Sequence, residues 1–180
     1  GPPMNDTLCP DAYGVFTEPA TLRMQRRLPG PIERVWAYLT DGELRRQWLA
    51  RGTMVLQPGA AFELTWRNDE LSDPPGRRPE GFGAEHHMAG HITELDPPRR
   101  LAFTWQGTGE VSFELEADGD EVLLTLTHRR IDARGMRMMV GAGWHMHLDV
   151  LAARLAGAKP APFWDGWVRL REEYDQRLPA

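Results

Sequence analysis

A single cysteine, Cys9, is the only thiol in this 180-residue chain. One thiol cannot close an intrachain disulfide, so a disulfide-stapled secreted scaffold is excluded and a reducing, cytoplasmic setting is expected. Cys9 lies ahead of the first patterned segment and reads as an incidental thiol in a loose terminus. No apolar run approaches the ~20 residues that cross a bilayer, so membrane insertion is not expected. The opening GPPMNDTLCPDAYG lacks the basic stretch and apolar core of a secretory signal. Gly1-Pro2 reads as the remnant of a removed tag, with Met4 as the expected native start. Basic residues are not clustered, and the formal net charge is -5. A nucleic-acid partner, which calls for a concentrated basic face, is therefore not expected. There is no G-x-S-x-G elbow, Walker loop, H-E-x-x-H or paired-cysteine motif, and no cofactor is expected.

Tryptophan is plentiful by contrast. Seven of them in a chain of this length imply a shared interior that several line or close, because each has a large area to bury. The length suits one core and one domain, residues 20–180, behind a flexible lead-in over 1–19.

The organising element is the stretch MRMMVGAGWHMHLDVLAARLAG, Met136 to Gly157. Val140, Trp144, Leu148, Leu151 and Leu155 fall on one stripe at helical spacing, and Gly157 with Pro160 ends the helix. Ahead of it lie segments of alternating polarity. Thr21 to Leu28 is the first strand, with Leu22, Met24, Arg26 and Leu28 on one face. Pro31 then opens a short helix bearing Ile32, Val35, Trp36 and Leu39. Asp41 caps a second short helix that ends near Trp48. Together these two helices read as a strap across the open end of a sheet.

Met54 to Gln57 and Ala61 to Trp66 are expected to form a hairpin about Pro58-Gly59. Residues 67–85, rich in Pro, Gly and charge, read as a long flexible loop, either solvated or a lid over a pocket. Strands follow at His86 to Leu95, Arg100 to Gln106, Glu110 to Ala117 and Glu121 to Arg129. Between them stand turns at Asp96-Pro97-Pro98, Gly107-Thr108-Gly109 and Asp118-Gly119-Asp120. The meander has no βαβ rhythm, so the sheet is antiparallel. A last helix over 160–178 carries Phe163, Trp167, Leu170, Tyr174 and Leu178 on one face, with Arg169–Glu173 and Arg171–Asp175 as pairs four apart. Its docking partner is the sheet, the long helix or a second subunit, which makes it the candidate face of a homodimer.

Particular motifs carry a resemblance. They are Pro31-Ile32-Glu33-Arg34-Val35-Trp36 with Leu39-Thr40-Asp41 and Trp48-Leu49; Ile92 to Pro98 with Leu101, Phe103 and Trp105; and Gly143-Trp144 with Leu148, Leu151 and Leu155. Over about residues 20 to 158 the chain resembles the SRPBCC superfamily, the START-like or Bet v-like helix-grip domains. Its motifs are most similar to the branch of heat-shock-chaperone ATPase activator homologues. The resemblance implies an α+β helix-grip fold, in which a curved antiparallel sheet of about seven strands wraps the long C-terminal helix. It also implies a deep cavity between sheet and helix for a small hydrophobic or amphipathic ligand. A chaperone partner is implied for the co-chaperone members. The eukaryotic activators carry an additional N-terminal chaperone-binding domain, which residues 1–19 do not supply.

Strand and helix faces then name the candidate lining: Phe62, Leu64, Trp66, Phe103 and Trp105, joined by Phe113, Leu124 and Trp144. His128 and His147 flank these faces as candidate polar anchors for a head group. In an aromatase/cyclase-like or hydrolase-like enzyme, one of them would serve as general acid or base. A third reading is a co-chaperone-like module that binds through its outer surfaces. The remaining histidines suggest no metal site. His87 and His91 share a strand face but stand roughly 13 Å apart at ~3.3 Å per residue, whereas zinc–nitrogen bonds are ~2.1 Å. His145 and Asp149, one helical turn apart, read as a surface or interface pair.

Overall fold

The computed structural model of the chain describes residues 12–18, 20–105 and 109–178. Cys9 and the turn at Gly107-Thr108 lie outside them. Seven strands form one sheet: β1 (Val15–Glu18), β2 (Thr21–Pro29), β3 (Ala61–Trp66), β4 (His86–Asp96), β5 (Arg100–Trp105), β6 (Gly109–Asp118) and β7 (Glu121–Arg129). Their order is β1-β2-β7-β6-β5-β4-β3, and every neighbouring pair is antiparallel. The helices are α1 (Ile32–Thr40), α2 (Gly42–Arg45), α3 (Arg134–Ala156) and α4 (Phe163–Arg177).

The strand count matches expectation, but its membership differs twice. Met54–Gln57 is not a strand. Met54 is buried while Val55 and Leu56 are exposed side by side, so the segment has no alternating face to lay on a sheet. The free edge of β3 meets only a bridge from Arg51 to Thr65. Conversely, Val15–Glu18 is no flexible lead-in. It pairs with β2, Val15 opposite Arg23, and the Gly14 amide just ahead donates to the Tyr174 hydroxyl at 2.8 Å. That second anchor lies in the last helix, where local sequence cannot reveal it.

Alternation places Leu22, Met24 and Leu28 of β2, Val111, Phe113 and Leu115 of β6, and Val122, Leu124 and Leu126 of β7 on the buried face. Phe113 stands opposite Leu126 and Leu101, so large side chains meet directly across strands. Asp41 caps α2 as expected, its carboxylate accepting from the Glu43 amide at 2.8 Å. Helix α2 stops at Arg45, and turns carry the chain on to Trp48. Arg45 is buried and donates to the carbonyls of Leu39, Thr40, Ala50 and Gly52. It thereby satisfies acceptors that the end of α1 leaves open.

The stripe on α3 meets the sheet, with Trp144, Leu148, Leu151 and Leu155 all buried. Gly157 takes φ 71° at the helix end, a left-handed conformation that glycine adopts without a Cβ clash. Helix α3 is also buried on its other side, at Gly141, His145 and Met146, because α4 packs there. A Cβ on Gly166 of α4 would lie 2.5 Å from Met146 Sδ. The expected face of α4 is buried throughout, from Phe163 to Leu178. Arg169 pairs with Glu173 at 3.6 Å. Asp175 instead takes Arg134 of α3 at 2.8 Å, and Arg171 stands 5.1 Å over the Trp167 ring. The fold is α+β, a helix-grip arrangement with an added terminal helix. No helix among the described residues is long and apolar enough to cross a membrane.

Candidate functional site

The middle of the space between the sheet and α3 is filled by buried side chains. Trp48, fully buried, enters it from the turns after α2. Its ring meets Phe113 edge-on at 6.3 Å, and its Nε1–H donates to the Tyr38 carbonyl at 2.8 Å. Phe103 packs edge-on against Phe62 at 5.3 Å and lies 6.2 Å from Phe113. Phe62, Leu64, Phe103, Phe113 and Leu124, expected as cavity lining, are therefore core residues. An inward-facing position on a strand lines a cavity only where nothing larger fills the space opposite, and here Trp48 and Trp144 fill it. His128 also lies in this packed region, with Trp105 at 5.1 Å.

A cleft of about 430 Å³ opens instead at one end of the sheet. Strands β3 and β5 finish there and β4 begins there, which brings Trp66, Trp105 and His86 together. Helix α3 forms one side with Met136, Met139, Val140, Gly143, Trp144 and His147. The start of α4 contributes Phe163, Trp164 and Trp167, and the loop Gly81–Glu85 closes the rim. Of the ten residues expected to line a cavity, Trp66, Trp105, Trp144 and His147 do so.

The rings form two walls. Along the first, Trp66 lies 5.5 Å from Trp105, and Trp105 lies 5.5 Å from Trp144. Along the second, Phe82 lies 5.0 Å from Trp167, Trp167 lies 5.9 Å from Trp164, and Trp164 lies 5.1 Å from Phe163. His147 joins them, 6.3 Å from Trp144 and 5.0 Å from Phe163. Sequence reasoning missed most of the second wall. Its signals were the aromatic triplet Phe163, Trp164, Trp167 and the isolated Phe82 in a loop otherwise poor in apolar residues.

Residues 67–85 are held down along their length. The first amides of a helix have no partner within it, and the loop supplies them for α4. Phe163 N–H donates to Ser72 Oγ at 2.8 Å, and Trp164 N–H donates to the Pro75 carbonyl at 2.9 Å. The Asp69 carboxylate accepts from Trp164 Nε1 at 2.7 Å, and Asp165 accepts from the Arg77 amide at 3.0 Å. Leu71 and Ser72 are buried. The long loop is thus a strap docked on α4, and its far end forms part of the cleft.

His147 is the buried polar group of the cleft. Its Nδ1 lies 2.8 Å from the Trp48 carbonyl. A carbonyl only accepts, so Nδ1 carries the hydrogen and Nε2 keeps its lone pair. Burial pushes the imidazole pKa down to about 4, against a smaller upward pull from that carbonyl. His128 has the opposite tautomer, since Trp144 Nε1–H donates to its Nδ1 at 3.0 Å. Burial pushes its pKa down to about 3. Two further polar groups border the cleft. Asn68 has its Oδ1 buried without a hydrogen-bond partner. Glu85 is held by Arg67 at 2.7 Å and by His87 at 2.8 Å, and Arg67 keeps its carboxyl below the usual carboxylate range.

A second polar cluster lies between β2, α3 and α4. Arg26 is buried and donates to Asp149 at 3.3 Å. His145 is not a surface residue; it is buried, with Nδ1 3.0 Å from the Tyr174 hydroxyl and Nε2 3.7 Å from Asp149. The presence of α4, whose docking the sequence left open, turns this side of α3 inward. Burial pushes the Tyr174 phenol up to about 12. On β4, His87 and His91 share the exposed outer face while His86 stands over Trp66 at 5.7 Å. Among the described residues no group of three or more His, Cys, Asp or Glu could hold a metal ion.

The sequence model of the family described as "Activator of Hsp90 ATPase homolog 1-like protein" matches residues 29–156. No curated protein matches the chain. Among solved structures, the chain is similar to the protein encoded by gene BPP1335 from Bordetella parapertussis, with TM-score 0.78 and 39% identity over 95% of this chain and 93% of that one. It is also similar to CalU16 from Micromonospora echinospora, with TM-score 0.63 and 25% identity over 87% of this chain and 84% of that one. DynU16, from the dynemicin biosynthetic locus, shares the fold, with TM-score 0.61 and 20% identity over 78% of this chain and 49% of that one.

Proposed function

The chain belongs to the activator of Hsp90 ATPase homolog 1-like family of the SRPBCC superfamily, and from that premise we propose that it binds a small amphipathic molecule in the aromatic cleft. One observation carries the reading. A space of about 430 Å³ stays open between two walls of aromatic rings that join at the neutral His147. Apolar pockets of this order with a few oriented polar groups are the usual form of small-molecule sites. The apolar body of the ligand lies between the walls, and a hydrogen-bond donor on it meets His147 Nε2. With a pKa near 4, His147 suits a fixed acceptor better than a proton carrier, since general bases work best with pKa values near the operating pH.

Gly143 provides the test. It lies on the cleft wall, and a Cβ there would touch only Trp167 Nε1, at 3.8 Å. Gly143→Leu therefore projects a side chain toward the cleft from a position with room for its Cβ. A neutral naphthalene titrated against intrinsic tryptophan fluorescence should quench it saturably in the wild type and bind the variant at least about tenfold more weakly, with the melting temperature retained. Equal binding to both proteins overturns the proposal, as does an absence of saturable binding to either.

A further inference from the structure

The charges around the cleft point further, to the class of molecule it takes. Neither lysine nor arginine is among the described residues that line it. Among the described residues Glu85 is the one carboxylate of the lining, and its histidines are His86, exposed at the rim, and the buried His147. The rest of the surface is dominated by rings: Trp66, Trp105 and Trp144 on one side, Phe82, Trp164 and Trp167 on the other. Neighbouring rings in the first wall are tilted to each other by 72° and 52°, and in the second by 65° and 78°. Each indole or phenyl ring of the lining has a π-face as well as an edge to offer a guest. An aromatic face carries negative potential and attracts a cation within about 6 Å.

We propose that the ligand is a protonated aromatic or polycyclic amine, its ring held between the two walls and its ammonium group set against the indole faces on the Glu85 side of the cleft. This rests on the reading of the cleft as a binding site and specifies its occupant. The inward acceptor agrees with it: His147 Nε2 offers a lone pair because the Trp48 carbonyl occupies the other nitrogen. Arg67 grips Glu85 from outside the lining and is shared with Glu70 at 3.5 Å, so it does not enter the cleft. A carboxylate or phosphate held between the two walls would instead find no lysine or arginine among the described lining residues. Burying a charge without a partner is strongly unfavourable.

Three probes with one ring system separate the possibilities: 2-naphthylmethylammonium, 2-naphthylmethanol and 2-naphthoate. Each is titrated calorimetrically at pH 7 into the wild type, Gly143→Leu and Glu85→Gln. The ammonium should bind about tenfold more tightly than the alcohol, the size expected of a partly desolvated cation–π contact. The carboxylate should bind weakest. Gly143→Leu should abolish the ammonium's advantage, and Glu85→Gln should weaken the ammonium several-fold while leaving the alcohol unchanged. If the alcohol binds as tightly as the ammonium, or the carboxylate binds best, the charge assignment is overturned while the cleft remains a binding site. Ammonium binding that survives Gly143→Leu, or equal losses for ammonium and alcohol in Glu85→Gln, also overturns it. If none of the three binds, the assignment and the ligand-binding reading fall together.

Discussion

His147, midway along α3, donates its Nδ1–H to the main-chain carbonyl of Trp48 at 2.8 Å. One hydrogen bond thus ties the gripped helix to the residue that fills the sheet's concavity, and it fixes which imidazole nitrogen is left for the cleft.

That bond and the burial around it predict an acid sensitivity. The folded-state pKa values of His147 and His128 are lowered to about 4 and about 3, below the ~6.5 of an unfolded histidine. At pH 7.5 both states carry neutral imidazoles and the effect is nil. Below about pH 6.5 the unfolded chain takes up protons that the folded chain refuses, so stability falls with pH until the folded pKa is reached. Each histidine contributes a slope approaching about 1.4 kcal/mol per pH unit. Urea midpoints between pH 7.5 and 5 should fall accordingly. His147→Leu should have a shallower slope and, at pH 7.5, a loss of about 1–3 kcal/mol from the unpaired Trp48 carbonyl. A midpoint that does not change over this range rules the account out.

Two glycines a half-turn apart on α3 predict effects of opposite sign. At Gly143 a Cβ meets only Trp167 Nε1, at 3.8 Å, so Gly143→Ala should stabilise by about 0.5–1 kcal/mol through helix propensity. At Gly141 the same atom would press on the Tyr174 ring at 3.1 Å. That ring is held by the Gly14 amide and His145 and cannot retreat. Gly141→Ala should therefore destabilise by about 1–3 kcal/mol, as overpacking does. Thermal unfolding of the pair checks the sign at each site.

Tyr174→Phe removes the hydroxyl that accepts from Gly14 N–H and meets His145. The expected cost is about 1–3 kcal/mol, with its main effect at the chain's first strand. Hydrogen exchange should quicken over residues 14–16, while the β6–β7 amides keep their protection. Uniform loss across the sheet would mean that the hydroxyl serves global packing and does not pin β1.

Much of the fold is legible in the sequence alone. The alternation in Val111, Phe113 and Leu115 and the stripe through Trp144, Leu148 and Leu151 place their side chains correctly, because period and polarity are local properties. Met54–Gln57 was misread because three apolar residues in a row resemble a strand until their exposure is known. Val15–Glu18 was missed because its support comes from Tyr174. The cleft was legible only in Trp66, Trp105, Trp144 and His147.

The sequence by itself determined which residues alternate, which share a helical stripe and where turns and caps interrupt them, since these follow from backbone geometry within a few residues. Only the tertiary structure decided where the empty space lies. A void is what remains after distant side chains have packed. Trp48 occupies the middle of the grip, whereas α4 and the strap over 67–85 enclose the open end, and both results depend on contacts between segments far apart in the chain.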